Sequence, residues 1–151
     1  MKKNEFMKTL ILVGALLMVG GKALASGVGY VDYQKVQENF PYAQKIVKEI
    51  DNKTLDLQQY MMDKEKQYKA IETPLKKQNF EEATAKEFKA KEDAFKQYKL
   101  EKEEDIYNKI QNASTEVLVE QKLDAIFDYR VIFVGGVDVT DLVVTKLKTV
   151  K

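Results

Sequence analysis

The chain has 151 residues, of which 44% are hydrophobic and 32% are charged, which is enough for one small domain with a modest core. It contains no histidine and no cysteine, so the commonest general base, the commonest metal ligand and all disulfide or thiolate chemistry are missing. The net charge of +1, with acids and bases closely mixed, gives no basic footprint for nucleic acid. We therefore expect a protein that is not an enzyme and that needs no metal or cofactor.

The first 25 residues have the pattern of a secretory signal peptide. Lys2, Lys3 and Lys8 precede an uncharged, mostly apolar run over residues 9–21, and a small-x-small sequence ends at Ala25. The run is shorter than the roughly 20 apolar residues that span a bilayer, which favours cleavage after Ala25 over a retained anchor. Without residues 1–25 the chain keeps 21 basic and 23 acidic residues, a net charge of −2.

The mature chain begins with signals for a strand and a short helix. Side chains alternate over residues 27–32, which predicts a strand. A short helical stretch follows over residues 34–39. Because proline suits the first turn of a helix, a long helix is expected to begin near Pro41.

From Ala43 the apolar side chains predict a helix that packs against another helix along a narrow row, here called the seam. Their spacing alternates between four and three residues, as in a coiled coil, and the residues between them are polar or charged. The predicted seam positions are Ala43, Val47, Ile50, Thr54, Leu57, Met61, Lys64, Tyr68, Ile71 and Leu75.

A break in the seam marks the tip of a helical hairpin. Thr73 precedes Pro74, and the residue before proline disfavours the helical conformation. Asn79, followed three residues later by Glu82, resembles a capping box at the start of a second helix. We therefore place the tip near residues 73–79 and assign residues 43–121 to the hairpin.

The return helix, expected over residues 80–121, has a poorer seam. Its apolar residues at helical spacing are Phe88, Phe95, Ile106, Ala113 and Val117. Charged residues occupy other positions where a well-packed coiled coil has apolar ones: Glu92, Lys99, Lys102 and Lys109. Tight packing should therefore not persist along the whole hairpin, and the half near the tip should be the more mobile.

After the hairpin the sequence predicts two strands and a final helix. The strands are expected at residues 123–128 and 131–134, with a tight connection at residues 128–130. These strands can meet the first strand in one small sheet. The predicted fold class is α+β: a long antiparallel helical hairpin projecting from a small body formed by residues 26–42 and 122–151.

Gly135 and Gly136 lie between a predicted strand and the last helix, where a glycine pair can cradle phosphate. The acids Asp138 and Asp141 would repel phosphate, and no lysine opens the helix. We therefore favour a structural role, in which the glycines permit a turn with positive φ and Thr140 caps the helix.

Two kinds of surface signal remain on the hairpin. Acidic neighbours such as Glu81–Glu82, Glu92–Asp93 and Glu103–Glu104–Asp105 could serve a metal or acid–base site, but their surrounding lysines favour a solvated charged face. Apolar and aromatic residues outnumber what one seam can use, so they are either scattered surface residues or a diffuse binding surface for another chain. This set comprises Tyr60, Met61, Met62, Tyr68, Ile71, Leu75, Phe80, Phe88, Phe95 and Tyr98.

The order of these elements resembles a known family. The signal peptide, GYVDYQKVQENFPYAQK at residues 29–45, the charged hairpin and VGGVDVTDLVVTKLK at residues 134–148 together resemble the OmpH/Skp family of periplasmic chaperones. The resemblance covers residues 27–151, and neither motif is catalytic.

The resemblance implies a periplasmic homotrimer. Each chain would add strands to a central body and extend a helical arm, and the arms would hold unfolded outer-membrane β-barrel proteins without ATP. By motif position, the trimer body would contain Val28, Tyr30, Val31, Val36, Ile126, Ile132, Val134, Val139, Val143 and Leu147. The turn and helix start would be shaped by Gly135, Gly136, Asp138, Thr140 and Asp141, and clients would contact the apolar arm residues.

Two points qualify this expectation. Well-known members of the family are strongly basic, whereas this mature chain is close to neutral, which argues against binding of lipid or lipopolysaccharide. The hairpin also fits a second hypothesis, a structural envelope protein whose coiled coil docks one fixed partner.

Overall fold

The computed structural model describes residues 27–149, and these form long helices with one small sheet. The elements in chain order are β1 (Gly27–Val31), α1 (Tyr33–Glu38), α2 (Pro41–Lys69), α3 (Pro74–Glu120), β2 (Leu123–Asp128), a 3₁₀ turn (Tyr129–Val131), β3 (Val137–Asp138) and α4 (Thr140–Leu147). The predicted signal peptide lies outside the described residues. Among residues 27–149, no helix is both long and apolar enough to cross a membrane.

Local sequence chemistry sets the helix starts. The Asp32 side chain accepts a hydrogen bond from the Lys35 backbone N–H at 3.0 Å and so caps α1. Pro41 is the first residue of α2, as predicted. Pro74 has the same role in α3, since its fixed φ suits a first helical position and its missing N–H would have no helical partner there.

The turn between α2 and α3 lies earlier than predicted. α2 ends at Lys69 and α3 begins at Pro74, so the turn occupies residues 70–73. The capping-box prediction at Asn79 was therefore wrong, because Asn79 lies inside α3. Thr73 has extended φ and ψ of −93° and 137°, and its carbonyl accepts the first helical hydrogen bond from Lys77 at 3.0 Å.

The sheet joins distant parts of the chain through parallel pairing. β1 is central, with the order β2–β1–β3. Val28 pairs with Ala125 on one side, and Gly29 pairs with Val137 on the other. The expected meeting of the first strand with the C-terminal segment is thus confirmed.

The strand predicted at residues 131–134 was wrong. A 3₁₀ turn, Tyr129–Val131, follows β2 directly, and the third strand is Val137–Asp138. The Asp128 carboxylate accepts from the Arg130 backbone N–H at 2.9 Å and pairs with its guanidinium at 2.7 Å, which turns the chain away from the sheet. Of the apolar residues after this turn, Ile132 is half-buried and Phe133 and Val134 are exposed, so their pattern mainly reflects a surface.

The core lies where α1, α4, the start of α2 and the end of α3 meet the sheet. Its buried apolar side chains are Val31, Val36, Phe40, Ala43, Ile46, Ile106, Ile110, Ala113, Val117, Val139, Val143, Val144 and Leu147. Within the described chain, no apolar side chain between residues 47 and 105 is buried. This confirms that tight packing ends partway along the hairpin.

The contacts between α2 and α3 join residues of increasing number on α2 to residues of decreasing number on α3. Glu49 contacts Tyr98, Tyr60 contacts Glu87, and the rings of Tyr68 and Phe80 meet. At 1.5 Å per residue, the 29 residues of α2 extend about 43 Å and the 47 residues of α3 about 70 Å. The end of α3 therefore continues past the start of α2 into the core.

Three predicted seam positions are exposed to solvent. Val47, Met61 and Leu75 are 49%, 42% and 68% exposed. Ile46 is buried, and Tyr60 contacts α3, so these take the places predicted for Val47 and Met61. Leu75 lies in the first turn of α3, since the α2 helix has already ended at Lys69.

Candidate functional site: the arm surface and the exposed body patch

Four tyrosine–carboxylate pairs lie between α2 and α3 along their length, and we call them the rungs. Two of them are hydrogen bonds: Tyr60 donates to the Glu87 carboxylate at 2.6 Å, and the bond at Glu49 runs in the other direction, from Tyr98 of α3. In the other two, Tyr42–Asp105 and Tyr68–Glu81, the carboxylate raises the pKa of the tyrosine. Polar rungs therefore connect the helices where the apolar seam is weak.

The rungs shift the pKa values of their members. The neighbouring Asp105 carboxylate, and then burial, raise the pKa of Tyr42 to about 12. The hydrogen bond from Tyr98 lowers the pKa of Glu49. The pKa of Glu87 is lowered first by Lys64, whose ammonium lies 2.8 Å away, and then by Tyr60. Each shift favours the protonation state that keeps the rung intact at neutral pH.

Lysines lie over the aromatic rings of the arm. The Lys64 ammonium is 5.2 Å from the Tyr60 ring centroid and 5.5 Å from that of Phe80. Further cation–π contacts join Lys53 and Lys102 to Tyr98, Lys77 to Tyr68, Lys91 to Tyr60 and Lys109 to Tyr42. The alternating charges of the arm thus partly cover its aromatic residues.

A groove opens between the helices near the tip. The rings of Tyr60 and Phe88 stack at 6.5 Å on one side of it, and those of Tyr68 and Phe80 meet at 6.4 Å on the other. The groove has a volume of about 450 Å³. Its walls are Met61, Lys64, Glu65, Tyr68, Phe80, Glu81, Thr84, Ala85 and Phe88.

The predicted client-binding residues fall into two groups. Met61, Met62 and Leu75 are exposed, at 42%, 54% and 68%. The others are half-buried: Tyr60, Tyr68, Ile71, Phe80, Phe88, Phe95 and Tyr98. Four of the ten predicted residues therefore meet at one place, the groove: Met61, Tyr68, Phe80 and Phe88.

The predicted trimer-body residues also divide. Five are buried within the single chain and form its own core: Val31, Val36, Val139, Val143 and Leu147. Tyr30, Ile126 and Ile132 are half-buried, whereas Val28 and Val134 are exposed at 38% and 87%.

Further exposed apolar side chains lie in β2, β3 and the segment between them, and with Val28 and Val134 we call them the body patch. Phe133 is fully exposed, and Val131 and Val137 are 70% and 54% exposed. Phe127 and Tyr129 are each 46% exposed. Exposed apolar side chains in such numbers are typical of protein–protein contact surfaces.

Gly135 and Gly136 have φ values of 83° and 91°. A Cβ on Gly136 would lie 3.1 Å from the Tyr30 ring and 3.3 Å from the Val28 carbonyl oxygen, whereas Gly135 faces open space. The turn therefore needs positive φ at both positions and close backbone approach at Gly136.

Thr140 does not cap α4, which corrects the prediction. It is the first helical residue, and its buried hydroxyl accepts a hydrogen bond from the Asp32 N–H at 3.0 Å. The N-cap residue is Val139, and the Asp138 carboxylate before it accepts a hydrogen bond from the Thr140 N–H at 2.9 Å. Asp141 pairs with Lys35 at 3.0 Å, which ties α4 to α1.

The acidic neighbours lie on solvated helix faces beside lysines. Glu92 pairs with Lys96 at 3.0 Å, and Asp93 pairs with Lys89 at 3.2 Å. Across residues 27–149, the structure brings no three acidic side chains together in a geometry that could hold a metal ion.

The rungs and the groove were not predicted. The sequence predicts Tyr60, Tyr68 and Tyr98 as apolar surface residues, and Tyr68 also as a seam position, whereas each rung pairs a tyrosine with an acid on the facing helix. Matching residues of α2 with residues of α3 at equal distance from the turn would reveal these pairs, but only once the turn is placed at residues 70–73. With the tip predicted at residues 73–79, these tyrosines and acids are not aligned with each other.

Comparison with known proteins gives one family. The model for the family described as "Outer membrane protein (OmpH-like)" matches residues 27–147. No curated protein sequence matches the chain. Among solved structures, the chain is similar to an OmpH-like outer membrane chaperone from Caulobacter crescentus CB15, at 15% identity and a TM-score of 0.35, covering 81% of this chain and 83% of the other. The family match spans the body and the whole arm, so this chain belongs to the OmpH-like outer membrane protein family.

Proposed function

We propose that this chain is an ATP-independent periplasmic holdase that binds unfolded outer-membrane proteins and prevents their aggregation during outer-membrane assembly. Membership of the OmpH-like family supports a chaperone role in general. The observation that carries the finer proposal is the arm itself, which presents half-buried and exposed apolar side chains without any buried one between residues 47 and 105.

The arm suits a client without a fixed shape. On this proposal α2 and α3 form an antiparallel coiled-coil hairpin whose seam is completed by rungs. Methionine and aromatic side chains adapt to varied apolar partners, and Met61 and Met62 are exposed beside the half-buried aromatic residues. Helices also use their backbone hydrogen bonds internally, so a client would be recognised mainly by its side chains.

Assembly would multiply these weak contacts. We infer that the body patch, with Phe133 and Val134 at its centre, joins three copies into a homotrimer whose arms surround one client. Three arms raise the effective affinity by making later contacts intramolecular. Residues 1–25 would direct the chain to the periplasm and be removed, and the near-neutral mature charge supports protein clients over lipid or lipopolysaccharide.

A light-scattering assay tests this function. A urea-unfolded β-barrel outer-membrane protein is diluted into buffer with residues 26–151 of this chain, at about one trimer per client. We expect aggregation to be suppressed, because the arms shield the client's apolar side chains. Continued aggregation at several-fold excess would contradict the proposal.

Two controls separate this function from the fixed-partner hypothesis. Phe133→Asp in the body patch should reduce the mass in solution from trimer to monomer and weaken suppression, because a buried unpaired charge opposes assembly. Capture of one stoichiometric envelope protein, with no effect on unfolded clients, would support the structural hypothesis instead.

A further inference from the structure

The groove near the tip exists because one layer of the seam is incomplete. Two cross-helix aromatic pairs, Tyr60–Phe88 and Tyr68–Phe80, bound this stretch of the arm. Between them, Lys64 of α2 and Thr84 of α3 occupy the positions where a coiled coil would place two apolar side chains.

Neither residue fills that layer with a large apolar group. The Lys64 ammonium lies over the Tyr60 and Phe80 rings and pairs with the Glu87 carboxylate at 2.8 Å. Thr84 contributes only a methyl group and a buried hydroxyl without a hydrogen-bond partner. The space of about 450 Å³ is therefore bounded by aromatic rings and Met61, which leaves room for large apolar side chains.

Two ion pairs lie at the rim. Lys64 is paired with Glu87, and Glu65 is paired with Lys69 at 2.5 Å. The Glu81 carboxylate lies beside the Tyr68 hydroxyl and raises the pKa of that hydroxyl. An anionic group would be repelled by Glu65 and Glu81, and a cationic group would compete with Lys64 and Lys69 for their carboxylate partners. A neutral apolar group would leave both ion pairs in place, so the charge pattern favours a neutral occupant.

We propose that this groove is a client-binding site that receives large apolar side chains, aromatic ones above all, from a neutral extended segment of an unfolded protein. An inserted ring completes the missing layer between the two aromatic pairs. The site begins about 27 Å along α2 from Ala43, beyond the buried core, so the body patch and the groove serve different partners. This inference rests on the proposed holdase function.

The chain offers a matched pair of substitutions. Ala85 lines the groove, whereas Ala94 lines a smaller depression beside Lys53, Asp56 and Lys91. Helical periodicity places Ala94 on the other side of the seam from Ala85. Ala85→Trp would fill the groove, and Ala94→Trp would add the same side chain to the opposite face.

The first experiment measures the affinity of both variants for a fluorescently labelled, unfolded β-barrel outer-membrane protein. We expect Ala85→Trp to weaken binding about tenfold, the equivalent of losing the burial of one apolar side chain, and Ala94→Trp to change it less than about twofold. Equal effects of the two variants, or no effect of Ala85→Trp while the unaltered chain still holds its client, would overturn the groove but leave the holdase function. A chain that holds no client at all would overturn the function itself.

A second measurement avoids filling the groove. The chain has no cysteine, so Glu65→Cys on the groove rim and Asp56→Cys on the opposite face can each carry one polarity-sensitive dye. Unfolded client should shift the emission of the dye at position 65 to shorter wavelength and leave that at position 56 unchanged. Absence of this shift, or a shift at position 65 produced instead by phosphatidylglycerol vesicles or by unlabelled copies of this chain, would overturn the proposal.

Discussion

The two ends of the arm are made of the same two helices but are held together differently. Near the body, Ile46, Ile106 and Ile110 are buried with the core. Beyond Ile50 the helices meet through the Tyr60–Glu87 hydrogen bond, the Lys64–Glu87 ion pair and half-buried aromatic rings that water can reach. Burial of apolar area dominates folding free energy, whereas water screens exposed charge pairs. Stability is therefore concentrated at one end, which leaves the other end free to contact clients in the proposed function.

The largest difference between the two ends should appear when one leucine is truncated. Leu147 is fully buried in the core, whereas Leu100 on the arm is 61% exposed. Leu147→Ala should lower the free energy of unfolding by about 2–5 kcal/mol, because it leaves a cavity. Leu100→Ala should change it by less than about 0.5 kcal/mol. Urea unfolding measures both, and equal losses would mean that the core is not where stability lies.

Within the body, alanine substitutions of Gly135 and Gly136 test the geometry of the turn before α4. Gly136→Ala should destabilise the chain by about 2–3 kcal/mol, since a Cβ adds contact with Tyr30 to the strain of positive φ. Gly135→Ala introduces only that strain and should lower the free energy of unfolding by about 1 kcal/mol. Thermal unfolding of both variants provides the comparison, and a larger effect at Gly135 would contradict the geometry.

These particular residues show what the sequence could predict. The proline at position 41, the glycine pair and the buried apolar residues have strong local signals. The start of α2, the turn at Gly135 and Gly136 and much of the core were therefore predicted. The strand predicted after Asp128 was wrong because the Asp128 side chain caps a turn there, despite the apolar spacing. The tip was misplaced because α3 begins directly at Pro74. The groove depends on which way Lys64 turns, and that is decided by its partner Glu87 on another helix.

The rungs should make the arm sensitive to pH at both extremes. The raised pKa of Tyr42 means that its contribution is complete below pH 10 and is lost as the pH rises towards about 12. The lowered pKa values of Glu49 and Glu87 mean that their contributions are present above pH 4.5 and are lost as the pH falls through the lowered values.

Ultraviolet titration of tyrosinate formation measures the alkaline part. Tyr42→Phe should remove the tyrosine that titrates at about pH 12, because it removes the hydroxyl whose pKa is raised by Asp105. Tyr129→Phe, on the body surface, should leave that component in place. An unchanged high-pH component in Tyr42→Phe would show that this rung does not form.

The smallest effect should come from Thr84. Its buried hydroxyl has no hydrogen-bond partner, so Thr84→Val removes an unsatisfied group at nearly constant volume and should raise the free energy of unfolding by about 1 kcal/mol or less. Thr115→Val is the control, since the Thr115 hydroxyl donates to the Gln111 carbonyl at 2.9 Å and should not give this gain. Chemical denaturation distinguishes the two, and a loss of stability in Thr84→Val would indicate that its hydroxyl has a partner.

Hydrogen–deuterium exchange along the chain, with and without unfolded client, tests the central contrast most directly. In the free protein, we expect amides of residues 55–98 to exchange about tenfold or more faster than those of residues 106–117 and α4, because they lie outside the buried core. Client should slow exchange in residues 55–98 and leave the body unchanged. Uniform exchange along the arm, or protection by client at the body patch alone, would contradict the division between a stabilising body and a client-binding arm.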